Sequence, residues 1–157
     1  MTAQIPEKLN YKGQQFRMCT HPLDNYEGCR LKFAHNCTAL RRGYVGTWEI
    51  IDDRLYLVAL AGSFENGSKV TLGAVFPDYH DRIFAHWYSG TMQIQQGKLL
   101  QYVHLGYFSV YERDMFFEMV KGVVKQTYTK NNHVPESEEA TNVQEVGAKT
   151  VSTSIQN

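Results

Sequence analysis

From Tyr44 onward, apolar and polar positions alternate in short runs broken by turn-forming pairs, the pattern of antiparallel strands. Tyr44 to Ile51 predicts one strand, Asp52-Asp53 a tight turn, and Leu55 to Ala61 the strand that returns beside it. In the returning strand Leu55, Leu57 and Ala59 alternate with Tyr56, Val58 and Leu60, so both faces are apolar and a central, doubly covered position is expected. Ser68 is placed to cap a short helix through Phe76, where Pro77 and Asp78 stop it. Ile83 to Gln95 reads as a long strand bent at Gly90, and Gln96-Gly97 predicts a turn that brings Leu99 to Gly106 back alongside. Met115, Phe117 and Met119 then share one strand face, and Lys121-Gly122 turns the chain into Val123 to Thr129.

Upstream, Glu7 to Thr20 predicts a hairpin around Lys12-Gly13, followed by a turn at Pro22 to Asn25 and an irregular stretch to Cys37. After Lys130 the aromatic residues vanish and Asn, Glu, Ser, Thr and Gln dominate, a composition that cannot offset the entropy of ordering the backbone. The expected organisation is one antiparallel β domain over residues 1–130, best defined over 44–130, with a disordered polar tail over 131–157. The fold class is mainly β, a rolled or sandwiched antiparallel sheet with one short helix.

Ten Tyr, eight Phe and two Trp reinforce the strand reading, because aromatic rings pack well on a pleated, half-buried surface. Sixteen basic residues balance sixteen acidic ones, so no global field draws in nucleic acid or an anionic membrane. The polar start of the chain and the lack of a long apolar run point to a cytoplasmic protein with no membrane partner. An odd count of cysteines fits reduced thiols better than a disulfide framework, and Asn36-Cys37-Thr38 reads as a chance glycosylation pattern.

Two constellations offer chemistry. Cys19, His21, Cys29, His35 and Cys37 supply zinc-type ligands, but without paired C-x-x-C knuckles the spacing favours plain thiols and surface histidines over a metal centre. His86, Tyr88, Tyr102, His104, Tyr107, Tyr111 and Glu112 would gather in a polar, aromatic cleft if the Gln96-Gly97 hairpin forms, with a His and a carboxylate available for general-base work. No nucleophile is evident, and Gly-rich phosphate loops, H-E-x-x-H and G-x-S-x-G are absent. Arg113 shares the parity of Met115 and Phe117 and is expected to point inward to a partner.

Gly46-Thr47-Trp48 resembles the G-x-W element of lipocalin-like barrels, though Trp48 is read first as a core anchor. The run Arg42-Gly43-Tyr44-Val45-Gly46-Thr47-Trp48-Glu49-Ile50, with Leu55-Tyr56-Leu57, Trp87-Tyr88-Ser89-Gly90, Tyr102-Val103-His104-Leu105-Gly106-Tyr107 and Ser109-Val110-Tyr111-Glu112-Arg113, resembles a family of small uncharacterised bacterial proteins. That resemblance implies a bacterial, cytoplasmic, single-domain protein and brings no activity. The leading functional expectation is a non-enzymatic module that presents an aromatic-rich sheet surface to a protein partner. The alternatives are a small-molecule binder or hydrolase using the His/Tyr/Glu cleft, and a zinc-stabilised structural module; no other cofactor is expected.

Overall fold

The computed structural model describes residues 2–35, 37–79 and 81–133. Nine strands form one sheet, interrupted by a 3-10 turn at Pro22–Asn25 and a four-residue helix, α1. The strands are β1 (Glu7–Tyr11), β2 (Gln14–Met18), β3 (Tyr44–Ile51), β4 (Arg54–Ser63), β5 (Lys69–Val70), β6 (Ile83–Phe84), β7 (Gly90–Gln101), β8 (Val110–Val120) and β9 (Val123–Asn131). Three of the expected hairpins form on two-residue turns: Lys12-Gly13, Asp52-Asp53 and Lys121-Gly122 all take positive φ at both central positions. Turns of that hand match the twist of the strands they join.

The hydrogen-bonded path runs β3-β1-β2-β7-β8-β9-β4 and closes because β3 also pairs with β4, so the sheet is rolled into a barrel. All neighbours are antiparallel except β1 and β3, which run parallel with Leu9 opposite Trp48. Leu9, Trp48, Leu55, Leu57, Met92, Ile94 and Phe117 fill the interior without solvent exposure. The Tyr11 ring meets Phe117 edge-on across it at 5.1 Å. Trp48 is thus the expected core anchor, and side chains fill the space in which a lipocalin-like barrel would hold its ligand.

Three segments depart from the pattern reading. No turn forms at Gln96-Gly97: Gln96 pairs with Arg113 and Leu99 with Tyr111, so one strand continues and Gly97 and Lys98 bulge out of register. The Lys98 N–H is taken up by Glu112 Oε1 at 3.0 Å. Ile83 to Gln95 is likewise not one strand, because β6 stops at Phe84 and β7 starts at Gly90. The expected helix from Ser68 is replaced by β5 and then by α1 over Leu72–Val75, whose cap is Thr71, its Oγ1 accepting from Ala74 N at 3.1 Å. In β4 a bulge opposite Thr47 and Trp48 inserts Val58, so Leu60 turns inward in place of Ala59, which is exposed.

Arg113 is not an inward arginine; it is nearly half exposed, 3.9 Å from Glu112. At the start of the predicted tail, Asn131 still belongs to β9 and Asn132 is hydrogen-bonded to Tyr111 and Asp114. From residue 134 on, that expectation lies outside the described residues. Among the described residues no helix is long and apolar enough to cross a membrane.

The barrel's seam is narrow. Strands β4 and β9 share one register pair, Arg54 with Val123, reinforced by Leu55 N to Gly122 O and Val124 N to Asp53 O. Gly122 also donates to Tyr88 O, and a Cβ on it would meet the Ala85 carbonyl oxygen at 2.5 Å with φ fixed at +81°. Gly122→Ala is therefore expected to destabilise the protein by more than about 1 kcal/mol in urea unfolding, whereas Lys121→Asn in the same turn stays within about half of that.

Candidate functional site

Two neighbouring features of the barrel gather polar groups: a network that runs from the buried Glu7 to the exposed Asp24, and a cleft on the outer face. The network begins with Glu7, which has the inward parity of Leu9 and Tyr11 in β1 and no exposure. Its Oε2 accepts from Arg42 Nε at 3.0 Å, Arg42 Nη2 at 2.8 Å and Gly46 N at 2.7 Å, and its Oε1 accepts from Trp48 Nε1 at 2.9 Å. Burial pushes the Glu7 carboxyl above its ordinary value, while Arg42, Trp48 and Gly46 pull the other way. Every hydrogen bond reaching it is donated to it, the arrangement an ionised carboxylate requires. Residue 46 leaves room for this, since a Cβ there would lie 2.6 Å from Glu7 Oε1.

Arg42 carries the network outward: its Nη1 donates to Ile5 O at 2.8 Å and to Tyr107 Oη at 3.3 Å. Tyr107 Oη lies 2.6 Å from His21 Nε2. His21 Nδ1 is 3.6 Å from Asp24, whose other oxygen accepts from Tyr44 Oη at 2.6 Å. The Arg42 guanidinium lies over the Tyr44 ring at 5.4 Å and closes the loop. Burial raises the Tyr107 phenol to about 12 and raises Tyr44 further, so both remain neutral donors. For Asp24, burial acts upward, but the His21 ring and the Tyr44 hydroxyl outweigh it and hold the carboxyl below its ordinary value.

The cleft has a volume of about 450 Å3 and lies between the outer face of the sheet and the β7–β8 connection. Register sets its floor: Gln95, Asp114 and Lys130 stand opposite one another across β7, β8 and β9, and Arg17 of β2 is next in the same row. Gln95 is buried by the connection above it, donating to Ser109 O at 3.1 Å and accepting from Arg17 Nε at 3.3 Å. Tyr107, Phe108 and Cys19 form the walls, and burial pushes the Cys19 thiol up to about 12, which makes it a poor nucleophile.

The cleft expected from sequence does not assemble, because it needed the absent hairpin at Gln96-Gly97. Tyr107 alone of that set lines the outer cleft. His86 packs against Phe84 and Trp87, Tyr88 is buried beside the seam, Tyr102 bonds its neighbour His104 at 2.6 Å, Tyr111 lies under Arg17, and Glu112 caps the bulge. Of the zinc candidates, His21 joins the Glu7–Arg42–Tyr107 network and Cys29 Sγ donates to Leu31 O at 3.3 Å. Cys37 is exposed, and all three cysteines are free. Among the described residues no three His, Cys, Asp or Glu side chains come together as a metal-binding group, His35 included.

Sequence reasoning passed over Glu7, Arg42, Asp24, Asp114 and Lys130. One signal was present: a Glu sharing the parity of Leu9 and Tyr11 must find donors if that face is buried. What the geometry defines is a small, side-chain-filled β-barrel with a charged network at one end and a polar cleft outside. Against protein-family models, curated proteins and solved structures, the chain finds no match.

Removing the carboxylate leaves a buried guanidinium without its counter-charge. Glu7→Gln is expected to cost about 3–5 kcal/mol in urea unfolding, and the double variant Glu7→Leu with Arg42→Met should not recover that loss, because it leaves the Gly46 N–H and the Trp48 indole N–H without their acceptor. For Asp24 the sign follows from its depressed pKa: its contribution is complete above the ordinary aspartate value of the unfolded chain and disappears as pH falls through the lower folded value. Wild type and Asp24→Asn should therefore differ in stability at pH 6 and converge toward pH 2 in thermal melts.

Proposed function

We propose that this protein is a non-enzymatic binding module that docks a protein partner through the β7–β8 connection. The observation that carries the reading is exposure: within one short span Leu99 is 47%, Tyr102 59% and Phe108 65% exposed. Elsewhere the aromatic residues mostly pack inward, as Phe33 does on Tyr44 at 4.7 Å and on Phe64 at 5.3 Å. Large apolar side chains left in water over one short stretch, at the end of β7 and in the connection that follows, are a feature of recognition surfaces.

The connection is also held in place before any partner arrives. Ser109 Oγ binds both the N–H and the carbonyl of Val103. Gly106 exchanges backbone hydrogen bonds with Thr2 and Gln4, and Tyr107 is anchored to Ile5, Arg42 and His21. A loop already fixed loses little entropy on binding, so its exposed rings contribute more of their burial to affinity. A cytoplasmic setting belongs to the same proposal, supported by three free thiols.

The test is affinity capture from a bacterial lysate with the full chain and with Leu99→Ser plus Tyr102→Ser as bait, followed by reconstitution of any protein enriched. Both side chains face solvent, so the variant should melt with the wild type. The expected result is a partner whose purified form binds wild type and loses about 2 kcal/mol or more with the variant. Binding that is indifferent to both substitutions, or no partner at all, would overturn the reading.

A further inference from the structure

We propose that the outer cleft is a binding site for a small zwitterion of the free amino-acid kind, its ammonium on Asp114 and its carboxylate on Lys130. The inference rests on the cleft and does not depend on a protein partner at the β7–β8 connection.

Asp114 and Lys130 are direct cross-strand partners on β8 and β9, with side chains on the same face. Opposite charges so placed ordinarily pair, yet these two do not come within ion-pair distance. Asp114 instead accepts through Oδ2 from Asn132 Nδ2 at 2.9 Å, which leaves its Oδ1 without a partner among the described residues. No hydrogen bond or ion pair from a described residue reaches the Lys130 ammonium. The nearest other cation in this row, Arg17, is already committed to Gln95 and lies over the Tyr111 ring at 5.2 Å. The floor of the cleft thus keeps one acid and one base side by side with capacity to spare.

Ligand class follows from that pairing. An isolated anion meets repulsion from Asp114 and an isolated cation meets it from Lys130, whereas a molecule carrying both charges on neighbouring atoms satisfies both. The Gln93 side-chain amide and Asn132 Oδ1 also lack partners among the described residues and add neutral hydrogen-bonding capacity. Phe108 and Val110 supply an apolar wall for a side chain. At about 450 Å3 the space falls within the range of small-ligand sites and has room for bridging water.

The test uses the full chain labelled with nitrogen-15 and the twenty free L-amino acids, each titrated to about 10 mM and followed by proton–nitrogen correlation spectra. The side-chain amide signals of Gln93, Gln95 and Asn132 report on the cleft directly. The expected result is saturable shifts of those signals with at least one amino acid, weakened about tenfold or more by N-acetylation and, separately, by amidation of its carboxyl group. Asp114→Asn keeps an oxygen for Asn132 and Lys130→Gln removes the positive charge while keeping a polar side chain. Each should reduce affinity by a similar factor while leaving the rest of the spectrum in place. Three results would overturn the proposal: no amino acid shifts these signals; blocked and free forms bind alike; or the shifts survive both substitutions.

Discussion

A carboxylate shut away from water must be surrounded by donors, and the arrangement around Glu7 ties together parts of the chain that lie far apart in sequence. Parallel pairing of β1 with β3 brings the Gly46 N–H and the Trp48 indole to it, while Arg42 enters from the segment just before β3. Only with these in place is the desolvation of the charge offset, since an unmatched ion in that position costs several kcal/mol. Because Arg42 then reaches Ile5 and Tyr107, the same charge pair also fixes the N-terminal segment and the β7–β8 connection. The irregular region around residue 21 joins through His21 and Asp24.

Filling the barrel decides where recognition can occur. With Trp48, Leu57, Met92, Ile94 and Phe117 packed in the interior, side chains occupy the barrel, and the cleft of about 450 Å3 lies on its outer face. That face acquires depth because the β7–β8 connection folds back over β7 and buries Gln95 beneath Ser109. One connection therefore does two things: its upper side exposes Tyr102 and Phe108, and its underside roofs the cleft. Phe108 contributes to both, so the two surfaces are neighbours and need not share a ligand.

Much of the barrel could be read from alternation alone. The hairpins at Lys12-Gly13, Asp52-Asp53 and Lys121-Gly122, the strands they join, the mainly β class and the role of Trp48 all follow from period-two patterning and from residues that accept positive φ. These are local properties, fixed over a handful of residues. Gln96-Gly97 misled because a residue pair ending in glycine serves a bulge as well as a turn, and the difference lies in whether the flanking strand finds its partner nearby or at β8. The short α1 was overestimated for a similar reason: Lys69 and Val70 are drawn into pairing with β4, which moves the cap to Thr71.

The polar groups were visible as residues but not as neighbours. Glu7 and Tyr107 lie far apart in sequence, and the strand order β3-β1-β2-β7-β8 is what brings both to Arg42. Asp114 and Lys130 each look like ordinary exposed charges until the β8–β9 register sets them opposite each other under a covering loop. Sequence determined which faces had to be buried, because burial parity is written residue by residue. Tertiary structure alone decided which charges meet, because that depends on long-range strand order and on the path of irregular segments, neither of which leaves a periodic trace.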